Sequence, residues 1–202
     1  IWFFGMPIIG LRIRARNVFS LIPLKIKYRH ILDAGSGPGV FSFELGRRFP
    51  DADVLGIDLI KSAIDKCRHI ARVTKTRNVN FRHVSVAELG KKNFFDLIVC
   101  VDILEHIEDD AAALHALFGA LSAGGILVLH VPALFRRYPI WKKSLNFDVK
   151  THVRTGYEIN DIKNKVKKSG FLIRKSGFSY GFWKTVSNNF SYMITGHRME
   201  NK

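Results

Sequence analysis

A chain of 202 residues with 47% apolar and 24% charged residues is long enough for one α/β domain with a sizeable core, and its composition excludes a disordered or fibrous chain. The net charge of +15 is the unusual quantity, while two cysteines, Cys67 and Cys100, are too few for a disulfide framework and fit a reducing compartment. No apolar run is long enough to span a bilayer, because the longest candidate, residues 1–11, is broken by Gly5, Pro7 and Gly10. The first residue is Ile1, so the chain is expected to start inside a longer polypeptide, and an upstream targeting segment is left open.

In chain order, strands and helices alternate. "HILDA" (30–34) predicts a buried strand, and Phe41, Phe43, Leu45 and Phe49 predict the helix after it. Between them "GSGPG" places Gly35, Gly37 and Gly39 where backbone must turn sharply or approach a ligand closely. "ADVLGIDL" (52–59) predicts the second strand, residues 61–75 a helix, and "NVNFRHV" (78–84) the third strand. "FFDLIVCVDI" (94–103) is a near-continuous apolar run, as in a strand buried on both faces. Asp109 and Asp110 are placed to open a helix, which Gly124 and Gly125 are expected to stop before a fifth strand, "GILVLHVP". After Pro132 the pattern loses its period: residues 133–154 mix aromatic and basic residues and predict a long functional loop. A basic helix is expected over 158–168, ended by Gly170, then a sixth strand in "FLIRKSGFSY" (171–180). Trp183, Val186, Phe190 and Ile194 predict a closing amphipathic helix, the alternative being a strand in "NFSYMIT" (189–195). This order predicts an α/β fold of Rossmann-like type, a doubly wound, mainly parallel sheet of six strands with helices on both faces. Three parts are expected: a basic and aromatic arm (1–28), a nucleotide-type binding domain (29–178) carrying the loop 133–154, and a C-terminal amphipathic segment (179–202).

A strand, a glycine turn and a helix N-terminus make a nucleotide-type corner. A dinucleotide fingerprint needs a third glycine or alanine where this chain has Val40, and a P-loop needs a Gly-Lys-Ser/Thr that is missing. Asp33, two residues ahead of the turn, would repel a pyrophosphate and suits a ligand carrying an amino group or sulfonium. Asp58, at the end of the second strand, is placed to bond ribose hydroxyls.

Four segments, "ILDAGSGPGVFSFEL", "VLGIDLI", "FDLIVCVDILEHI" and "LSAGGILVLHVP", resemble, in order and spacing, the motifs of class I S-adenosylmethionine-dependent methyltransferases, of the small-molecule, quinone-methyltransferase-like type. The resemblance covers residues 25–178 and implies S-adenosylmethionine as cofactor and S-adenosylhomocysteine as product. It implies that Asp33, Gly35 and Gly37 line the methionine end, that Ser36 and Gly39 shape the turn, that Asp58 takes the ribose, and that Leu59 packs on adenine. Val86 stands where the family usually has an adenine-binding Asp, before Ala87, so Glu88 or a carbonyl would have to substitute; Val101 completes the implied cofactor set. Methyl transfer is an in-line displacement, and an oxygen acceptor must also lose a proton. His106, His130 and His152 fall near the strand ends, and His106 and His152 are the expected catalytic pair. Asp102, Glu105, His106 and His152 could also converge on a hard divalent ion, a pattern resembling metal-dependent O-methyltransferases of quinones and of RNA 3′ ends; the leading reading has no metal.

The charge is uneven. Residues 33–110 hold 13 acids and 11 Lys or Arg, whereas the rest of the chain holds 21 basic residues and 4 acids, none of them before Asp33. The excess lies outside the glycine corner and predicts a surface that meets something anionic. The leading expectation is a small-molecule or lipid-linked acceptor, methylated at oxygen by a cytoplasmic enzyme that is peripheral to a membrane. The acceptor pocket is expected between the N-terminal arm, the end of the fourth strand and the loop 133–154. The rivals are a methyltransferase of RNA or another anionic polymer and a non-catalytic cofactor-binding or adaptor protein. Nucleic acid ranks lower because the Asn-Pro-Pro-Tyr type motif of amino-directed DNA enzymes is absent and "VDILEHI" takes its place.

Overall fold

The computed structural model describes residues 9–136, 144–145 and 152–179. Helix α1 (Ile9–Ser20) leads into β1 (His30–Ala34), α2 (Val40–Arg48), β2 (Asp53–Asp58), α3 (Lys61–Val73) and β3 (Val79–His83). Then come β4 (Phe95–Val101), a 3₁₀ turn (Leu104–His106), α4 (Asp110–Ala120) and β5 (Leu121–His130). A two-residue pair, β6 (Phe135–Arg136) and β7 (Ser144–Leu145), precedes α5 (Ile159–Lys168).

The five main strands form one parallel sheet in the order β3-β2-β1-β4-β5. Strands β1 and β4 lie at its centre and are apolar on both faces, so neighbouring residues serve opposite sides. Ile31, Leu97, Val99 and Val101 pack with Ala15, Val18 and Phe19 of α1, Phe41 and Leu45 of α2, and Ile64 and Cys67 of α3. Leu32, Ala34, Ile98 and Cys100 pack on the other face with Ala113, Leu114 and Leu117 of α4, and α5 adds Ile162 and Val166. Burial of each such aliphatic side chain contributes about 1.5–3 kcal/mol. The order reverses between β1 and β4, and the crevice beyond the carboxyl ends of those strands is where open sheets bind ligands. Among the described residues no helix is long and apolar enough to cross a membrane.

The doubly wound architecture agrees with the sequence reading, with three differences in detail. Helix α4 stops at Ala120, ahead of the glycines, and Leu121 already pairs with Phe95. Gly124 and Gly125 instead form an irregularity inside β5, since Leu97 pairs next with Ile126. A Cβ on Gly125 would lie within 3.0 Å of Phe95 O, so only glycine lets the two backbones close there. Helix α3 ends at Val73, and Lys75 turns the chain with φ of 54°. The expected sixth strand does not form. After Gly170, at φ 99°, Phe171 folds back on Phe118 with ring centroids 5.1 Å apart, and Leu172 is 92% exposed. Residues 171–179 have no strand partner among the described residues, so the sheet has five strands and not six. The segment predicted as a closing helix or seventh strand lies outside the described residues.

Candidate active site

The turn after β1 is held by the strand beside it. Gly35 N and Ser36 N both donate to Ile57 O at 2.9 and 2.8 Å, and Gly37 N donates to Asp58 Oδ2 at 2.7 Å. Asp58 Oδ1 accepts from Ile60 N at 2.8 Å, so this carboxylate fastens the glycine turn to the start of α3. Each of its oxygens keeps a further lone pair for a ligand hydroxyl. Gly35 and Gly37 have φ of 84° and 47°, the left-handed region that glycine enters without strain. A Cβ on Gly35 would collide with the Ile103 side chain, whereas a Cβ on Gly37 would meet nothing within 4 Å. The turn is therefore packed on one side and open at Gly37. Gly39, the residue before α2, packs on Cys67 and Phe43.

Asp33 is buried under this turn and accepts from Ser42 Oγ at 2.5 Å. Burial pushes its carboxyl up to about 6, although the Ser42 hydrogen bonds oppose the rise. The Ser36 hydroxyl is buried in the turn without a hydrogen-bond partner. Leu59, 65% exposed, stands at the rim of β2, where its carbonyl pairs with His83 Nε2 at 2.9 Å. Val86 is buried and Ala87 exposed in the segment after β3, and Val101 closes the end of β4. Glu88, one of the two substitutes expected for the adenine-binding Asp beside a backbone carbonyl, accepts from Ser85 Oγ at 2.8 Å.

The second cluster of candidate residues is built on the ends of β4 and β5. Asp102 follows β4 with φ of 52°, a conformation Asp tolerates better than most residues. Its backbone N donates to His130 O at 2.9 Å, and its carboxylate holds His130 Nδ1 at 2.6 Å and Arg14 Nη1 at 2.7 Å. Glu105 and His106 lie on the 3₁₀ turn, and the His106 and His152 rings meet edge to face with centroids 4.6 Å apart. One ligand atom from each of Glu105, His106 and His152 lies within 4.8 Å of the others. Asp102, the fourth member expected from sequence, is outside this group and is taken by Arg14 and His130. Glu105 is 1% exposed, its Oε2 lacks a hydrogen-bond partner, and burial pushes its carboxyl up to about 7. One carboxylate and two imidazoles are a donor set that divalent transition metals accept.

Arg154 fixes the return of the long loop to this turn. Its Nη1 donates to Leu104 O, Ile107 O and Tyr157 Oη at 2.7–3.0 Å, and Nη2 donates to Glu108 O at 2.8 Å. Val153 N donates to Glu105 O at 2.9 Å, so His152 arrives beside Glu105 and His106. Both described ends of the loop 133–154 thus lie at the carboxyl end of the sheet, on the side of the glycine turn. Most of the loop lies outside the described residues. Arg154 and Arg14 carry no mark in the sequence, because each is one arginine among many in a basic stretch. Cys100 is buried and its thiol pushed up by desolvation, which removes it as a nucleophile.

A parallel sheet reversing at β1/β4, a glycine turn pinned by an acid on β2, and an acid-and-histidine rim at the ends of β4 and β5 define a class I S-adenosylmethionine-dependent methyltransferase. Residues 27–174 match the methyltransferase-domain family, and the chain belongs to it. The ubiquinone biosynthesis O-methyltransferase of Alkalilimnicola ehrlichii is 35% identical over 125 residues, covering 56% of this chain and 49% of that protein. The protein of the same description in Acinetobacter baylyi is 30% identical over 99 residues, covering 48% of this chain and 41% of the relative. The chain therefore spans less than half the length of these relatives. Among solved structures, an S-adenosylmethionine-dependent methyltransferase from Mesorhizobium loti is similar with a TM-score of 0.69 at 19% identity, covering 95% of this chain and 96% of that one. The [4+2]-cyclase SpnF has a TM-score of 0.67 at 18% identity, covering 81% and 58%, so the fold alone does not set the chemistry.

Proposed function

We propose that this chain transfers a methyl group from S-adenosylmethionine to a hydroxyl oxygen of a small aromatic, quinol-type acceptor carrying a lipid tail. The observation that carries the cofactor assignment is the glycine turn open at Gly37, with the Asp58 carboxylate fixed beside it. The unpartnered Ser36 hydroxyl supports the fit, since a buried hydroxyl without a partner is costly unless a ligand meets it. In this reading Asp33, Gly35, Ser36, Gly37 and Gly39 hold the methionine end. Asp58 accepts from the ribose hydroxyls, and Leu59, Val86, Ala87 and Val101 flank the adenine. The bound cofactor supplies the electrophilic methyl group; the chain's own work is to orient the acceptor and exclude water. The direction toward oxygen and a quinol rests on the relatives' description.

The test is calorimetry with S-adenosylhomocysteine, followed by transfer of labelled methyl to an alkyl-tailed catechol. Binding is expected, and Asp58→Ala should weaken it by tenfold or more. Tighter binding of NAD, or label recovered only in RNA, overturns the reading.

A metal-assisted variant is a second reading, favoured by the convergence of Glu105, His106 and His152. Those three residues would hold the ion, which would act as a Lewis acid on the acceptor oxygen. Metal analysis of the purified protein decides it: a stoichiometric divalent ion lost in His152→Ala supports this variant, and full transfer activity in excess chelator removes it. Without the ion, His106 and His152 line the acceptor pocket as its polar wall.

A further inference from the structure

We propose that His130, oriented by Asp102, is the general base that takes the proton from the acceptor hydroxyl. The proposal rests on the oxygen-methylation reading above and deepens it. His83, His106, His130 and His152 lie at the carboxyl end of the sheet, and the His130 Nδ1 meets the Asp102 carboxylate at 2.6 Å. The bond lies on Nδ1, and among the described residues no hydrogen bond reaches Nε2. A carboxylate on Nδ1 holds the proton there, which leaves the Nε2 lone pair as the basic position.

The pair is held from several sides. Val101 and His130 are partners across β4 and β5, and Asp102 N donates to His130 O, so backbone and side chain tie the same two residues. Arg14 of α1 occupies the other Asp102 oxygen at 2.7 Å, which aims that carboxylate. Among the described residues the charged groups tied to this pair are Arg14 on α1 and Asp102 after β4; Glu105, on the following turn, is pushed up by burial first and by Asp102 to a lesser degree. The left-handed φ of Asp102 is a strain of the kind that clusters at working sites. Ile103, the next residue, packs on Gly35, so Asp102 stands one strand from the glycine turn and His130 two. In the step, the acceptor O–H proton passes to His130 Nε2. The acceptor oxygen forms the new bond to the methyl carbon as the carbon–sulfur bond breaks, and that electron pair stays on sulfur as the thioether.

Two measurements test this. The first needs no turnover: nitrogen-15 spectra of the histidine side chains in the free protein. The Nδ1–H tautomer is expected for His130, and it should be lost in Asp102→Gly, which keeps the left-handed backbone allowed while deleting the carboxylate. An Nε2–H tautomer in the unmutated protein overturns the proposal. The second compares His130→Gln with the unmutated chain on an alkyl-tailed catechol and on 4-nitrocatechol, whose hydroxyl is already largely ionised at neutral pH. A general base contributes about 10²–10⁴-fold. His130→Gln should therefore lose about 100-fold or more on the first acceptor and lose the rise of rate with pH, with S-adenosylhomocysteine affinity within twofold. On 4-nitrocatechol the loss should be far smaller. Equal losses on both acceptors, or a pH profile that survives the substitution, overturn it. If neither acceptor is methylated, the oxygen-methylation reading fails and the base role fails with it, the spectra then reporting only whether the pair is built as described.

Discussion

Asp33, proposed above to hold the methionine end of the cofactor, would serve binding at a cost in stability. It is fully buried, and desolvation lifts its folded carboxyl to about 6, well above the ordinary aspartate value. The folded state therefore holds a proton that the unfolded chain has already lost between about pH 4 and pH 6. The sign follows: this group's contribution to stability is present at low pH and is lost as pH rises through about 6. Asp33→Asn keeps the shape and removes the charge. Denaturant titrations should find it about 1–3 kcal/mol more stable than the unmutated chain at pH 7.5 and nearly equal near pH 4. The same variant should bind S-adenosylhomocysteine more weakly at pH 7.5. An unmutated chain that is the more stable at pH 7.5 would sink the assignment. The sequence marked Asp33 as a candidate because a carboxylate ahead of a glycine turn contradicts a pyrophosphate ligand, and Asp58 because it ends the second strand; the structure places both carboxylates at that turn. Asp102 and His130 were each named as candidates, but their pairing and its link to Arg14 were not legible, because 28 positions separate the two in the chain and only the β4/β5 register brings them together.

At the scale of elements, the strands that were read correctly are those whose residues are buried on both faces. Ile98 has no exposed surface in the middle of β4, and Ile98→Ala should destabilise the fold by about 2–5 kcal/mol in urea. Leu172 has the same apolar lettering but is 92% exposed, so Leu172→Ala should leave the urea midpoint unchanged. A loss above about 1 kcal/mol there would restore the sixth strand that the sequence suggested. That segment was misread because three consecutive apolar residues look alike in a strand and in a turn that folds back on a helix. Asp109 was a sound reading for a simpler reason: its carboxylate accepts from Ala112 N at 2.8 Å and caps α4. Asp109→Ala should cost about 1 kcal/mol.

For the whole molecule, the excess charge sits at the two ends of the chain, and the cofactor corner is close to neutral. Leu24 and Ile26, 72% and 44% exposed, alternate with Lys25 and Lys27 in the segment before β1. Apolar tips beside cations suit an anionic lipid surface, where each Lys or Arg near the surface is worth about 1 kcal/mol. Sedimentation with phosphatidylglycerol vesicles should retain the protein at low salt and release it as salt rises, and Lys25→Glu with Lys27→Glu should lower the bound fraction. Binding to RNA with no preference for these vesicles would favour the polymer-directed rival instead. The global charge was plain in the sequence; which residues present it was not, since exposure depends on how α1 turns into the sheet.

The feet of the loop 133–154 are stitched together. Leu134 N donates to Tyr157 O and Tyr157 N to Pro132 O, both at 2.9 Å, while Arg154 pins the return limb. A segment whose ends are fixed to each other and to the scaffold behaves as an interchangeable cassette. Insertions of different length and lettering could be exchanged between these feet while the glycine turn, Asp33 and Asp58 stay in place. If the proposed acceptor pocket is right, acceptor range would diversify through the cassette alone, and a chimera made at the same joints is the natural way to redirect the proposed activity.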